Sequence, residues 1–178
     1  MQGEPRTDCS QSDRNPEAAR RAGVGYHVTS AAEDGLEALQ SASERHADVL
    51  EVWDDAWSSA KKSRYPSPTR VIEALGAIAE TGRELFAALQ AGQPIGPLEK
   101  AFRAKVPFKY ASGESQMTMA MYGQERIFQG PGQRREIQRH LTLGGGGNCL
   151  QLYFDFDENR RKVIIAYCGQ HLSHYRQS

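Results

Sequence analysis

The residues with the most chemical potential gather in two groups near the end of the chain. One is the exit His171, His174, Tyr175 and Arg176; the other is Arg134, Arg135, Glu136, Arg139 and His140. Together they hold imidazole, phenol, carboxylate and guanidinium groups. Cleavage of RNA by attack of a 2′-hydroxyl needs such parts: a base for the hydroxyl, an acid for the leaving oxygen and a cation for the phosphorane. A histidine titrating near neutrality suits either proton transfer. The two groups can serve one reaction only if the strands between them bring them face to face. The alternative for a terminus bearing His and Arg is a solvated tail.

Other motifs carry less. The four glycines at Gly144–Gly147 have no Lys-Ser/Thr after them and precede a strand-like run, so they read as a hairpin loop, not a phosphate loop. Cys9, Cys149 and Cys168 lack metal-ligand spacing and read as free thiols of a cytoplasmic protein. No metal or other cofactor is expected. Met117, Met119 and Met121 read as the core face of a strand, not as a sulfur ligand set.

Charge separates the chain into two parts. From Glu99 onward there are 12 Lys and Arg against 7 Asp and Glu, and the remainder holds 10 against 15. The basic part suits phosphate and the acidic part suits a basic partner. No apolar run approaches the roughly 20 residues of a membrane span, and the N-terminus has no apolar core of a secretory signal.

The elements that position these groups follow from the pattern. Residues 1–22 carry almost no large apolar side chain and read as a disordered tail. Residues 23–65 read as a helical arm: a short strand at Val24–Thr29, an N-cap at Thr29 or Ser30 with Glu33, then a helix of some thirty residues with a weak middle at Gln40–Asp48. Pro66 and Pro68 break the chain. Residues 66–178 read as an α+β domain. Val71, Ile72, Leu75, Ile78, Ala79, Leu85, Phe86 and Leu89 follow helical spacing, ended by Gly92 and Pro94. A short helix covers Leu98–Ala104. Ser115–Met121 reads as a strand with Glu125–Phe128 as its hairpin partner, and Gln133–Leu143 as a helical turn leading into a strand.

The last two runs are the firmest. Leu150, Leu152, Phe154 and Phe156 fall on one strand face, with Cys149, Gln151, Tyr153 and Asp155 on the other. Val163, Ile165 and Tyr167 alternate with Ile164, Ala166 and Cys168. The link Asp157–Arg161 fits an antiparallel hairpin. The fold class is therefore α+β: a helical N-terminal part, then an antiparallel sheet in the C-terminal half, with the helix near 70–90 on one face.

In this arrangement the stretch from Arg139 through the glycine loop to Cys168 resembles the last three strands of the RelE/ParE-like toxins of bacterial toxin–antitoxin pairs. The exit His174-Tyr175 is similar to the His-Tyr ending of the YoeB branch, and Tyr26–Val28 would be the first strand. The resemblance implies a small sheet packed on a helix pair. It implies metal-independent endonucleolytic cleavage of messenger RNA at the ribosome, with an antitoxin protein as partner. On that reading His174 is the general acid or base and Tyr175 positions or stacks on the nucleobase. Arg139 or Arg135 steadies the phosphate, Glu136 is a further base candidate, and Arg134, His140, His171 and Arg176 contact RNA. The competing reading is a non-catalytic protein-interaction or nucleic-acid-binding regulatory module.

Overall fold

The computed structural model describes residues 32–175. The strand expected at Val24–Thr29, the cap at Thr29 or Ser30, the tail at 1–22, Cys9 and Arg176 lie outside them. The first described helix, α1 (Gly35–Arg45), is capped by Asp34, whose carboxylate accepts from the N–H groups of Leu36 and Glu37 at 2.8 and 2.9 Å. Glu37 in turn accepts from the N–H of Glu33.

The thirty-residue helix is not what forms. Arg83 grips Asp48 at 2.7 and 2.8 Å and reaches His46 Nδ1, fixing a turn after α1. The chain then extends as β1 (Leu50–Val52) and re-enters a helix, α2 (Asp54–Lys62). The correction has a tertiary cause. Leu50–Val52 pairs in parallel with Val163–Ile165, so backbone groups that a helix would satisfy locally are satisfied across the sheet. Asp54 and Asp55 open α2 and Lys61 and Lys62 close it, each sign at the end the helix dipole favours.

The amphipathic helix is α3 (Pro68–Gln90), with Pro68 in its first turn. Its end is a Schellman motif: Gly92 adopts φ +67° and donates to Leu89 O, and Gln93 donates to Ala88 O. After α4 (Gly96–Lys105) and the three-residue strand β2 (Lys109–Ala111), a second correction appears. Ser115–Met121 is not a strand. Ser115 Oγ accepts from Thr118 N–H and starts the helix α5 (Gln116–Tyr122). Met117 and Met121 are four apart on that helix and are 51% and 56% exposed, so the methionines do not form a core face.

A 3-10 turn leads into the hairpin β3 (Ile127–Gly130) and β4 (Gln133–Glu136). Pro131 and Gly132, the latter at φ +69°, make its two-residue turn. Ile127–Gly130 thus pairs with Gln133–Glu136 and not with Ser115–Met121, and 133–136 is strand where a helical turn was expected. β5 (His140–Gly145), β6 (Asn148–Asp157) and β7 (Lys162–Gln170) complete the main sheet, in the order β1-β7-β6-β5-β2. Every pairing but β1–β7 is antiparallel. The fold is α+β, helices first and strands last. The glycine run is the β5–β6 hairpin, turning at Gly146 and Gly147.

The sheet buries both faces. Leu141, Leu143, Leu150, Leu152, Phe154, Val163 and Ile165 meet α1, α3 and α4. On the other face Trp53, Phe128, Ile137, Tyr153, Ile164 and Ala166 form a smaller core under the β3–β4 hairpin. A bulge divides β7: Tyr153 pairs with Tyr167 but Phe154 with Ile165, leaving Ala166 extra. The bulge reverses the alternation, so Cys168 joins the helix-side core and Tyr167 packs on Phe128 with ring centroids 5.7 Å apart. Burial pushes the Cys168 thiol up to about 12.

Gly82 marks the closest approach of α3 to the sheet. A Cβ there would lie 2.3 Å from Val163 Cγ2. Gly82→Ala should therefore lower the unfolding midpoint in urea by the equivalent of about 1–3 kcal/mol, the usual cost of overpacking. An unchanged midpoint would show that the helix can lift off β7 freely.

Candidate functional site

On the hairpin-covered face, five side chains from separate elements converge. Glu114 precedes α5 and is held by its backbone N–H donating to Gln138 Oε1 at 3.1 Å. Arg126 ends the 3-10 turn, His140 opens β5, and Gln151 and Tyr153 come from β6. Oε1 of Glu114 accepts from Arg126 Nη2 at 2.9 Å, Arg126 Nε at 3.1 Å and the Tyr153 hydroxyl at 2.7 Å. Arg126 is fully buried and also donates to Tyr122 O. His140 stacks on Tyr153 with centroids 4.7 Å apart, and its Nδ1 lies 2.9 Å from Gln138 O, so Nδ1 carries the proton. Among the described residues no buried side-chain nitrogen or oxygen lacks a partner.

Burial dominates the protonation states. It raises the Tyr153 hydroxyl, and the hydrogen bond to Glu114 raises it further, so Tyr153 stays a donor. For Glu114 burial alone would raise the carboxyl, but the Tyr153 and Arg126 hydrogen bonds and the Arg126 charge together hold it below its ordinary value. His140 is lowered, chiefly by burial. Both net shifts act in the same direction on stability. As pH falls through 6.5 the unfolded chain takes up a proton at His140 that the folded chain resists, and below 4.5 the same holds for Glu114. Urea midpoints measured from pH 8 to pH 4 should decline from about 6.5 downward. His140→Phe should flatten the upper part of that decline. His46, lowered by burial and by Arg83, titrates in the same window, so a remnant should persist.

The network reaches the surface through Gln151. Its Oε1 accepts from Leu172 N–H at 2.8 Å and its Nε2 lies 3.3 Å from His171 Nε2. His171 Nδ1 donates to Leu172 O at 2.6 Å, which makes its Nε2 the acceptor of the Gln151 amide. The His174 ring stands 4.6 Å from the His171 ring. Two more backbone N–H groups pin this exit: Ser173 to Glu125 Oε2 at 2.9 Å and Tyr175 to Thr118 Oγ1 at 3.2 Å.

The remaining expected residues lie elsewhere. Arg139 sits on the helix-covered face, with Nη1 3.0 Å from Asp155 Oδ1, Nη2 3.6 Å from Glu99, Nε 3.2 Å from the Tyr110 hydroxyl and the guanidinium over the Phe156 ring. Arg135 Nη2 pairs with Asp155 Oδ2 at 2.6 Å. Glu136 accepts from Gln138 Nε2, and Arg134 is exposed on β4. The structure therefore brings His171 and His174 together but sets Arg139 and His171 on opposite faces of the sheet. His140 is buried, with 8% of its surface exposed.

Glu114, Arg126, Tyr153 and Gln151 were not among the expected residues. The usable signal was Gln151 and Tyr153 on the second face of a strand whose partner strand is apolar on both faces; such side chains must find buried partners. Comparison of the chain with protein-family models, with curated proteins and with solved structures returns no match. Among the described residues no group of three or more His, Cys, Asp or Glu is placed to hold a metal, and no helix is long and apolar enough to cross a membrane.

Proposed function

We propose that the protein is a metal-independent endoribonuclease of the RelE-like kind, acting on messenger RNA and held in check by an antitoxin partner. The observation that carries this reading is the imidazole pair His171–His174, rings 4.6 Å apart, at the surface end of the polar network. The order of elements supports it as well: among the described residues β1 precedes α2, α3 and α4, and the three antiparallel strands β5, β6 and β7 close the sheet.

In the proposed reaction His174 takes the proton of a 2′-hydroxyl as the oxygen attacks phosphorus. His171 is the acid: its Nε2 leaves the Gln151 amide on RNA binding, takes up a proton and gives it to the departing 5′-oxygen. The products are a 2′,3′-cyclic phosphate and a 5′-hydroxyl. In the free protein Gln151 holds His171 through Nε2, and Tyr175, 39% exposed, offers a face to the adjoining base. General acid–base groups contribute about 100- to 10,000-fold each. With a fluorescent RNA oligomer in EDTA, His171→Ala and His174→Ala should each slow cleavage by that order. Induction of the wild-type protein should arrest translation and His174→Ala should relieve the arrest. Absence of both cleavage and arrest from a folded wild-type protein would sink the reading.

A second reading, a non-catalytic interaction module, is favoured by the exposed Met117 and Met121 on α5, a helix tied to Tyr175 through Thr118. RNA binding through phosphates should weaken steeply with salt, whereas docking through this apolar face should not.

A further inference from the structure

A cleft lined from α3 and α4 across to β4 and β6 takes no part in the reaction proposed above. It has a volume of about 460 Å³, in the range of small-molecule sites. Leu85 from α3, Ile95 and Phe102 beside and within α4, and Phe156 from β6 give it apolar walls. Its charged lining is four carboxylates (Glu99, Asp155, Asp157 and Glu158) against two guanidiniums, Arg135 and Arg139. This is an acidic cleft in the basic part of the chain.

Both guanidiniums are already engaged. Arg135 and Arg139 share Asp155, and Arg139 also meets Glu99, Tyr110 and the Phe156 ring. An anion would have to break these contacts. The spare capacity is negative. Glu158 has no partner among the described residues; Asp157 Oδ1 accepts from the Arg160 backbone N–H at 3.0 Å, but its Oδ2 has a cation only at 4.0 Å, since the Arg160 guanidinium is committed to Glu51. Carboxylates at a partly enclosed apolar wall attract a cation more strongly than they would in open water.

We propose that this cleft binds a small amphipathic cation, an alkylguanidinium or alkylammonium group whose apolar stem lies along Phe102, Phe156 and Leu85 while its head reaches Asp157 and Glu158. His171 and His174 are not among its lining residues, so it stands or falls separately from RNA cleavage. Its residues come from α3, α4, β2, β4 and β6, so an occupant would tie the β3–β4 hairpin to the helices.

The probe is agmatine, titrated into the full chain by calorimetry, with inorganic phosphate as the anionic control. Saturable binding of agmatine and none of phosphate is expected. The double variant Asp157→Asn/Glu158→Gln should weaken agmatine by about ten-fold or more, the effect of losing a charge-assisted contact. Thr81→Phe, which fills the cleft from α3, should abolish binding without removing a charge. Thermal melting of each variant identifies any that is unfolded, and the other then decides. No saturable agmatine binding by the wild type, equal affinity in both folded variants, or preferential binding of phosphate would each overturn the proposal. His174→Ala should leave agmatine affinity unchanged.

Discussion

Arg126→Ala should cost about 3–5 kcal/mol, the usual penalty for removing one partner of a buried ion pair. Domains have about 5–15 kcal/mol in total, so a large part of the stability would go. The reason is local and specific. Arg126 is fully buried and supplies two of the three hydrogen bonds that Glu114 Oε1 receives. Without it Glu114 keeps only the Tyr153 hydroxyl, and the carboxylate stays in a poorly hydrated site without a cation. The carbonyl of Tyr122 loses its donor too. Arg126→Met with Glu114→Gln removes both charges and leaves Tyr153 an oxygen to donate to. That double variant should be more stable than Arg126→Met alone. Urea denaturation of the three proteins tests the pair directly, and a double variant less stable than the single would show that charge is not what the site must compensate. Arg126 does not touch RNA in the proposed reaction. Its loss should still lower cleavage, because Glu125 beside it holds Ser173 in the exit that presents His174.

Gly130→Ala should be nearly as damaging, although it adds one carbon. A Cβ at Gly130 would lie 2.3, 2.4 and 2.7 Å from Cδ2, Cε2 and Cε3 of Trp53. The indole cannot step aside. It is fully buried with Phe128, Tyr153 and Ile164, and its Nε1 donates to Glu51 at 3.0 Å. The hairpin must therefore move away from α2 and the small core must open. Overpacking of this kind costs about 1–3 kcal/mol and occasionally more. In a domain of this size each kcal/mol lowers the melting temperature by about 2–4 °C. A smaller partner at position 53 should restore part of the loss, so Gly130→Ala with Trp53→Phe should be less destabilised than the two separate effects combined. Strict additivity would mean that the two residues do not meet in solution.

The parts of the fold that could be read in the residues are those set by local period. The α3 stripe and the two faces of β6 follow directly from spacing, because burial repeats with the geometry of the element. The errors arose where a distant contact decides. Leu50–Val52 has too few residues to announce a strand and becomes one through Val163–Ile165. The methionines at 117, 119 and 121 fit a period of two, but Met117 and Met121 also fit one helical turn, and the Ser115 cap selects the helix. The bulge at Ala166 moves Tyr167 and Cys168 to unexpected faces, and nothing in the alternation of Val163–Cys168 marks it. The site was legible in kind more than in detail. An imidazole, a phenol, a carboxylate and a guanidinium do converge, but His171 and His174 are joined to Tyr153, Glu114 and Arg126 and not to Arg139 and Glu136. Partners of a buried tyrosine are set by strand register and hairpin placement, which spacing along the chain does not encode.

The parallel pairing of β1 with β7 also fixes a sequence of events during synthesis. Glu51 and Arg160, hydrogen-bonded at this edge, are 109 residues apart, so the contact is among the most non-local in the molecule. Until Val163–Ile165 emerge from the ribosome, Leu50–Val52 has no strand to join and Trp53 has no Ile164 to pack on. The helices can form early, but the sheet that covers their apolar faces cannot be completed. His171 and His174 follow within a few residues of that closing strand. Fold and imidazole pair are thus completed almost together, and a nascent chain carries neither until nearly the whole domain has been made.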